Sequence, residues 1–159
     1  MAGRLRVGLI GCGSQGRFLS EALRMTDRAE LVACADPSAD AAQTAMSQCG
    51  YAAAFESAGE MLEAAELDAV IIATIHDQLQ PMAMAAVAAG KHVFVEKPMA
   101  LCAADGLALV GAAAAADVRL MVGYTLRFMP DRILMKQLIG EGLVGDITHV
   151  STGQCIGPV

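Results

Sequence analysis

The stretch from Val7 to Gly16, Val-Gly-Leu-Ile-Gly-Cys-Gly-Ser-Gln-Gly, leaves a chain few ways to fold. The short apolar run from Arg4 to Ile10 reads as a buried strand, it stops at Gly11, and the segment from Ser14 to Met25 reads as a helix. Gly11, Gly13 and Gly16 fit the spacing G-x-G-x-x-G, and each lacks a side chain for its own reason. Gly11 permits a tight turn, Gly13 lets a pyrophosphate approach the backbone, and Gly16 lets the helix pack closely on the strand. The backbone from Gly11 through Cys12, Gly13, Ser14, Gln15 and Gly16 is therefore a candidate phosphate cradle, with free N–H groups and the positive end of the helix dipole facing it.

Glycine-rich turns of this spacing also occur in methyltransferases and kinases, so the next strand decides the reading. A second apolar run, Leu31 to Ala35, ends at Asp36, twenty positions after Gly16. A carboxylate there can accept from the hydroxyls of an adenosine ribose, and it can equally cap the helix that begins near Pro37 and Ser38. Strand, glycine turn, helix, strand and acid together point to a dinucleotide site.

The rest of the chain repeats the alternation. Helices are expected from Ser38 to Cys49, from about Ala58 to Ala65 behind the capping box Ser57-Ala58-Gly59-Glu60, and from Ala103 to Ala116. Strands are expected at Tyr51 to Phe55, Ala69 to Ala73, His92 to Glu96 and Leu120 to Gly123. Ala69 to Ala73 shows no alternation of apolar and polar residues, as expected for a strand buried on both faces of a parallel sheet. Thr74 to Gln78 reads as a polar loop at the end of that strand, before a helix with Pro81 in its first turn and Gly90 at its end. Beyond Gly123, Pro130 opens a helix with Ile133, Leu134, Leu138 and Ile139 on one face, and residues 146–152 are expected to begin another strand. The expected fold is an α/β, Rossmann-like doubly wound parallel sheet in residues 1–125. Residues 126–159 hold a connecting helix and the first strand of a second, α+β domain.

A length of 159 residues suits one well-buried core, and no apolar stretch approaches the roughly 18 residues of a membrane span. A net charge of −6, scattered Lys and Arg, two Tyr, four Phe and no Trp argue against nucleic acid as a partner. The N-terminal Met-Ala-Gly-Arg-Leu-Arg lacks a signal-peptide pattern, so the expected compartment is the cytoplasm. Cys12, Cys34, Cys49, Cys102 and Cys155 form no C-x-x-C pair and read as small buried residues of a reducing compartment. His76, His92 and His149 lack helical ligand spacing, so no metal site is expected.

Ligands of doubly wound sheets bind beyond the carboxyl ends of the strands, which makes Thr74, Ile75 and His76 candidate walls of the site. Lys97 stands at such an end, with its backbone restricted by Pro98, where a lysine can accept or donate a substrate proton. Its plainer reading is a solvated lysine beside Glu96.

At these residues the chain resembles the Gfo/Idh/MocA oxidoreductases, a family that includes glucose-fructose oxidoreductase and inositol dehydrogenases. The resemblance rests on Gly11 to Gly16, Asp36-Pro37, Ala73-Thr74, Ala89-Gly90-Lys91-His92-Val93, Glu96-Lys97-Pro98-Met99-Ala100, Tyr124 to Phe128 and Gly142 to Ile147. It implies a two-domain enzyme whose first domain binds NAD, or less readily NADP, and whose second domain supplies substrate contacts and the face of a homo-oligomer. It places Lys97 beside the reacting hydroxyl, Thr74 and Glu96 along the cofactor, and Arg127 near the nicotinamide, with Lys97-Pro98 often a cis bond. The implied reaction is hydride transfer between nicotinamide and a secondary hydroxyl of a sugar, polyol or related compound. The family's usual proline and asparagine after the threonine are replaced here by Ile75 and His76, and its catalytic Asp and His fall beyond the end of this chain. A non-catalytic NAD-binding module or sensor subunit is the alternative reading. A methyltransferase is disfavoured by Glu96-Lys97-Pro98.

Overall fold

The computed structural model describes residues 3–153. Six parallel strands form one sheet in the order β3-β2-β1-β4-β5-β6. They are β1 (Leu5–Ile10), β2 (Ala29–Ala35), β3 (Ala53–Phe55), β4 (Ala69–Ile72), β5 (His92–Val95) and β6 (Leu120–Val122). Between them run α1 (Ser14–Arg24), α2 (Ala39–Cys49), α3 (Ala58–Ala64), α4 (His76–Ala88) and α5 (Ala103–Ala115). The doubly wound sheet read from the sequence is thus present, and its strand order reverses between β1 and β4.

Burial on both faces explains the strand composition. Val7, Leu9, Cys34 and Ile71 pack with Leu19 and Leu23 of α1 and Ala42, Ala45 and Cys49 of α2. On the other face Ile10, Val70, Ile72, Val93 and Val95 pack with Met61 and Leu62 of α3, Leu79 and Ala83 of α4, and Leu109 and Ala113 of α5. Successive residues of β4 therefore enter different cores, so the strand can contain no polar position. The alanines on α2, α4 and α5 keep these helices close to the sheet, and their share of the apolar composition is a packing feature.

Several local expectations are corrected. Residues 76–78 belong to α4, whose tight start is marked by the Gln78 N–H donating to the Ile75 carbonyl at 3.0 Å. Pro81 consequently lies in the second turn of the helix. His76, Asp77 and Gln78 are polar because they form an exposed first turn, where Asp77 is also favoured by the dipole. The cap of α2 is Ser38, whose hydroxyl accepts from the Ala41 N–H at 3.3 Å; Asp36 does not fill that position. Cys12, Cys34 and Cys49 are buried as expected but Cys102 is exposed, next to Asp105 at 3.1 Å. Cys155 lies outside the described residues.

The chain divides into two units between Gly123 and Tyr124. The second contains a 3₁₀ turn (Thr125–Phe128) and α6 (Pro130–Gly140), with Ile133, Leu134 and Ile139 all half exposed. The strand expected over residues 146–152 is not formed: among the described residues this stretch has no ladder partner, and an isolated strand leaves every N–H and C=O unpaired. No helix of the described residues is long and apolar enough to cross a membrane.

One ion-pair cluster ties the start of β1 to the approach of β4. Arg6 donates from Nη2 to Asp68 Oδ1 at 2.8 Å and from Nη1 to Glu66 at 2.6 Å, while its backbone N–H donates to Asp68 Oδ2 at 2.8 Å. These bonds, the guanidinium first and the backbone second, hold the Asp68 carboxyl down at about 2 against an ordinary 3.8. The depressed value means that the pair stabilises the fold above pH 3.8, and that this contribution fades as the pH falls toward 2. Arg6→Met is expected to remove this part of the acid sensitivity, so that its thermal midpoint, followed by circular dichroism, declines less steeply over that interval than the parent's.

Candidate functional site

The carboxyl ends of β1, β2, β3 and β4 open onto a cleft of about 940 Å³. Gly11, Gly13, Ser14 and Gln15 line it from the glycine turn, Asp36, Pro37 and Ser38 from the end of β2, and Thr74, Ile75 and Gln78 from the end of β4. This is the switch point of the strand order, where doubly wound sheets take their ligands.

The glycine turn is made by close approaches. Gly11 has φ +95°, in the left-handed region, and a Cβ there would come within 2.6 Å of the Ala73 carbonyl carbon. A Cβ on Gly16 would overlap the Gly11 carbonyl oxygen and press on Leu9 Cδ1 at 3.1 Å. Gly13 differs: it caps α1 in an extended conformation, and a Cβ added to it meets nothing within 4 Å. Its missing side chain leaves open space at the start of the helix, which is the space a phosphate against the helix N-terminus requires. The residues present therefore fit a dinucleotide.

Two carboxylates organise the rim. Asp36 accepts from the Cys12 N–H through Oδ2 and from the Ser38 N–H through Oδ1, both at 2.9 Å. It thereby joins the glycine turn to the start of α2, and each oxygen retains a lone pair for a further donor. Glu96, only 6% exposed at the end of β5, accepts from Gln15 Nε2 at 2.8 Å and from the Lys97 N–H at 3.1 Å. Arg17 is drawn back onto the Cys12 carbonyl, which it reaches with Nη1 at 2.8 Å.

The remaining candidates are distributed less evenly. Gly16 and Cys12 are buried beneath the turn, and the Cys12 thiol is pushed well above its ordinary range by hydrogen bonding with Cys34 and by burial, so it packs as a neutral group. His76 is exposed on the first turn of α4. Lys97 is exposed just after β5, and its bond to Pro98 is cis. Arg127 belongs to the second unit, where its guanidinium lies 5.9 Å from the centre of the Tyr124 ring. The cleft is also lined by Glu56, Ser57, Ala58 and Gly59, which the sequence motifs do not single out as site residues. They follow β3 as Asp36 follows β2, and the rule that ligands bind beyond strand ends was the available signal.

The family model described as "Oxidoreductase family, NAD-binding Rossmann fold", that of the Gfo/Idh/MocA proteins, matches residues 5–124. The chain belongs to this family. Among its curated relatives, myo-inositol 2-dehydrogenase of Thermotoga maritima is 31% identical over 89% of this chain and 42% of its own length. D-apiose dehydrogenase of Paraburkholderia graminis is 34% identical over 89% of this chain and 38% of its own. The structure of scyllo-inositol dehydrogenase from Lactobacillus casei with NAD(H) and scyllo-inositol superposes with a TM-score of 0.86 at 27% identity, covering 91% of this chain and 43% of that one. The WlbA dehydrogenase from Bordetella pertussis, solved with NADH and UDP-GlcNAcA, gives 0.84 at 36% identity, covering 89% and 44%. This Gfo/Idh/MocA chain thus spans less than half the length of the curated relatives it matches.

The two kinds of glycine separate experimentally. Gly16→Ala should lower stability by about 1–3 kcal/mol or more, since neither the Gly11 backbone nor the buried helix can yield freely. Gly13→Ala should lower stability by about 1 kcal/mol or less, the cost of Ala at a helix N-cap, yet weaken dinucleotide binding by placing a methyl group in the cleft. Chemical denaturation and calorimetric titration of the two variants check both statements.

Proposed function

We propose that this chain is the cofactor-binding part of an NAD-dependent dehydrogenase that oxidises, reversibly, a secondary hydroxyl of a sugar, polyol or related compound. The observation that carries the reading is the convergence of the glycine turn, Asp36 and the Glu96-Lys97 turn at the carboxyl edge of one sheet. The sugar and inositol dehydrogenases among the relatives support the substrate class. Substrate contacts and the oligomer face belong, on this reading, to sequence that the longer relatives possess.

The bound dinucleotide supplies the hydride acceptor. The N–H groups at the start of α1 hold its phosphates, and Thr74 and Ile75 wall the cleft from the end of β4. Asp36 accepts from ribose hydroxyls while keeping its bonds to Cys12 and Ser38. Lys97 moves the proton at the substrate hydroxyl, an interaction that strengthens only as the proton is transferred.

Asp36 and the retracted Arg17 favour NAD over NADP, because a 2′-phosphate would meet a carboxylate with no guanidinium to balance it. The chain should bind NAD at least tenfold tighter than NADP, as expected for one charged hydrogen bond of about 1.5–3 kcal/mol. Asp36→Ser should lose NAD affinity without gaining NADP affinity to match, because the same change releases the Cys12 N–H and slackens the glycine turn. Parallel calorimetric titrations of both cofactors decide this, and tighter binding of NADP by the parent chain would reverse the assignment.

In the full-length enzyme, Lys97→Met should reduce turnover by about 10²–10⁴-fold, the usual contribution of a positioned acid or base, while cofactor affinity stays within a few-fold. Initial rates with inositols and sugars, set beside NAD titration, make the comparison. Normal turnover at saturating substrate with lost cofactor binding would make Lys97 a cofactor anchor. NAD binding without turnover of any polyol by the full-length parent would favour a non-catalytic sensor.

A further inference from the structure

We propose that the outward face of α5 is a docking surface for a second copy of this chain, the two helices packing antiparallel about a two-fold axis. The inference is independent of the cofactor reading, and the face is separate from the oligomer face assigned above to sequence of the longer relatives. α5 turns Gly106, Leu109 and Ala113 inward, where they are buried. Its opposite side carries Ala104, Leu107, Gly111 and Ala114 as a stripe, with Ala108 and Val110 beside it, all exposed and Leu107 by 73%. From Gly106 to Ala116 no side chain is polar, on any side of the helix. A surface helix is ordinarily polar away from its core, and one that is apolar all round belongs in an interior.

Gly111 shows what kind of cover the face is shaped for. Glycine within a helix lowers its stability relative to alanine, and packing inside this chain gives no reason for it: a Cβ at Gly111 would meet nothing within 4 Å, whereas one on Gly106 would press on Met99 Cε at 3.2 Å. A bare backbone on the surface permits the close approach of another element. Residues 104, 107, 111 and 114 follow the 3-4-3 spacing of a seam between two helices. In an antiparallel pair with its axis level with residue 109, Leu107 of each copy lies over Gly111 of the other, and Ala104 over Ala114. The large side chain of the seam meets the position without a side chain, twice, so the face is complementary to itself, as a two-fold contact requires.

Charge selects the same occupant. The chain carries a net charge of −6, so two copies repel over most of their surface, and least at a face without charges. A partner recognised by charge would find nothing to pair with there. Area sets the strength: the 13 residues of α5 offer a face about 20 Å long and about 10–12 Å wide. That is well short of the roughly 800 Å² that each partner gives to a stable complex, so the dimer is weak and concentration-dependent.

The test is sedimentation velocity of the 159-residue chain from about 10 μM to about 1 mM, with thermal midpoints recorded alongside. The parent should pass from monomer toward dimer over this range, and more readily at high salt, which screens the repulsion. Leu107→Glu should stay monomeric throughout with a nearly unchanged midpoint, because the side chain is exposed in the single chain. Gly111→Leu should weaken the dimer at least about tenfold although it adds apolar surface and fits the single chain, since it overfills the seam. Leu107→Ala should weaken it as well, and the combined Leu107→Ala, Gly111→Leu variant, which exchanges the large and small positions, should recover the parent's affinity to within about threefold. A parent that remains monomeric to the highest concentration overturns the proposal. So does association that survives Leu107→Glu, falls with salt or passes beyond the dimer. Tighter association of Gly111→Leu would mean an indiscriminate apolar patch, covered by another protein or by another part of a longer chain, and failure of the combined variant to recover would mean that α5 does not face α5; either result rejects the pairing.

Discussion

The first turn of α1 lies against the carbonyl of Gly11, and the rest of the site depends on that contact. Because Gly16 has no Cβ, the helix can begin immediately after β1 and direct its N-terminus along the carboxyl edge of the sheet. The Ser20 hydroxyl donates to the Gly16 carbonyl at 2.8 Å and bonds the Tyr51 hydroxyl at 2.7 Å, which anchors α1 to the stretch leading into β3. Burial pushes the Tyr51 hydroxyl above its ordinary range, so this anchor stays neutral at any ordinary pH. A helix held at that distance and angle presents unpaired N–H groups to the cleft without needing a dedicated basic side chain.

The acidic residues around the turn have complementary structural tasks. Asp36 and Glu96 both accept backbone N–H groups, and Glu96 also accepts a side-chain amide, so each links two segments distant in sequence. Hydrogen bonds to a charged acceptor are stronger than those between neutral groups, and the two carboxylates use that strength to hold irregular backbone where no ladder can. Part of the shape of the cleft is thereby set before any ligand enters.

The parallel sheet accounts for much of the remaining chain. Its strands need cover on both sides, which consumes the apolar composition in short runs and requires a helix after nearly every strand. Alanine-rich helices satisfy the requirement with little volume. In the second unit, Ile133, Leu134 and Ile139 of α6 are half exposed.

The glycine turn, the six strands, their parallel order and the helices between them were legible in the sequence, because each depends on local rules: spacing of glycines, strands without alternation, caps and breakers. Asp36 was legible as a strand-end acid for the same reason. The tertiary structure alone decided which donors that acid takes, that Ser38 caps α2, that residues 76–78 begin a helix, and that Glu96 reaches Gln15, which is 81 positions away. It also decided that residues 146–152 form no strand, since a strand exists only where a neighbour supplies its hydrogen bonds. Local conformation follows from neighbours in the chain, whereas the partners of a carboxylate or a strand edge are chosen by the packing that brings remote segments together.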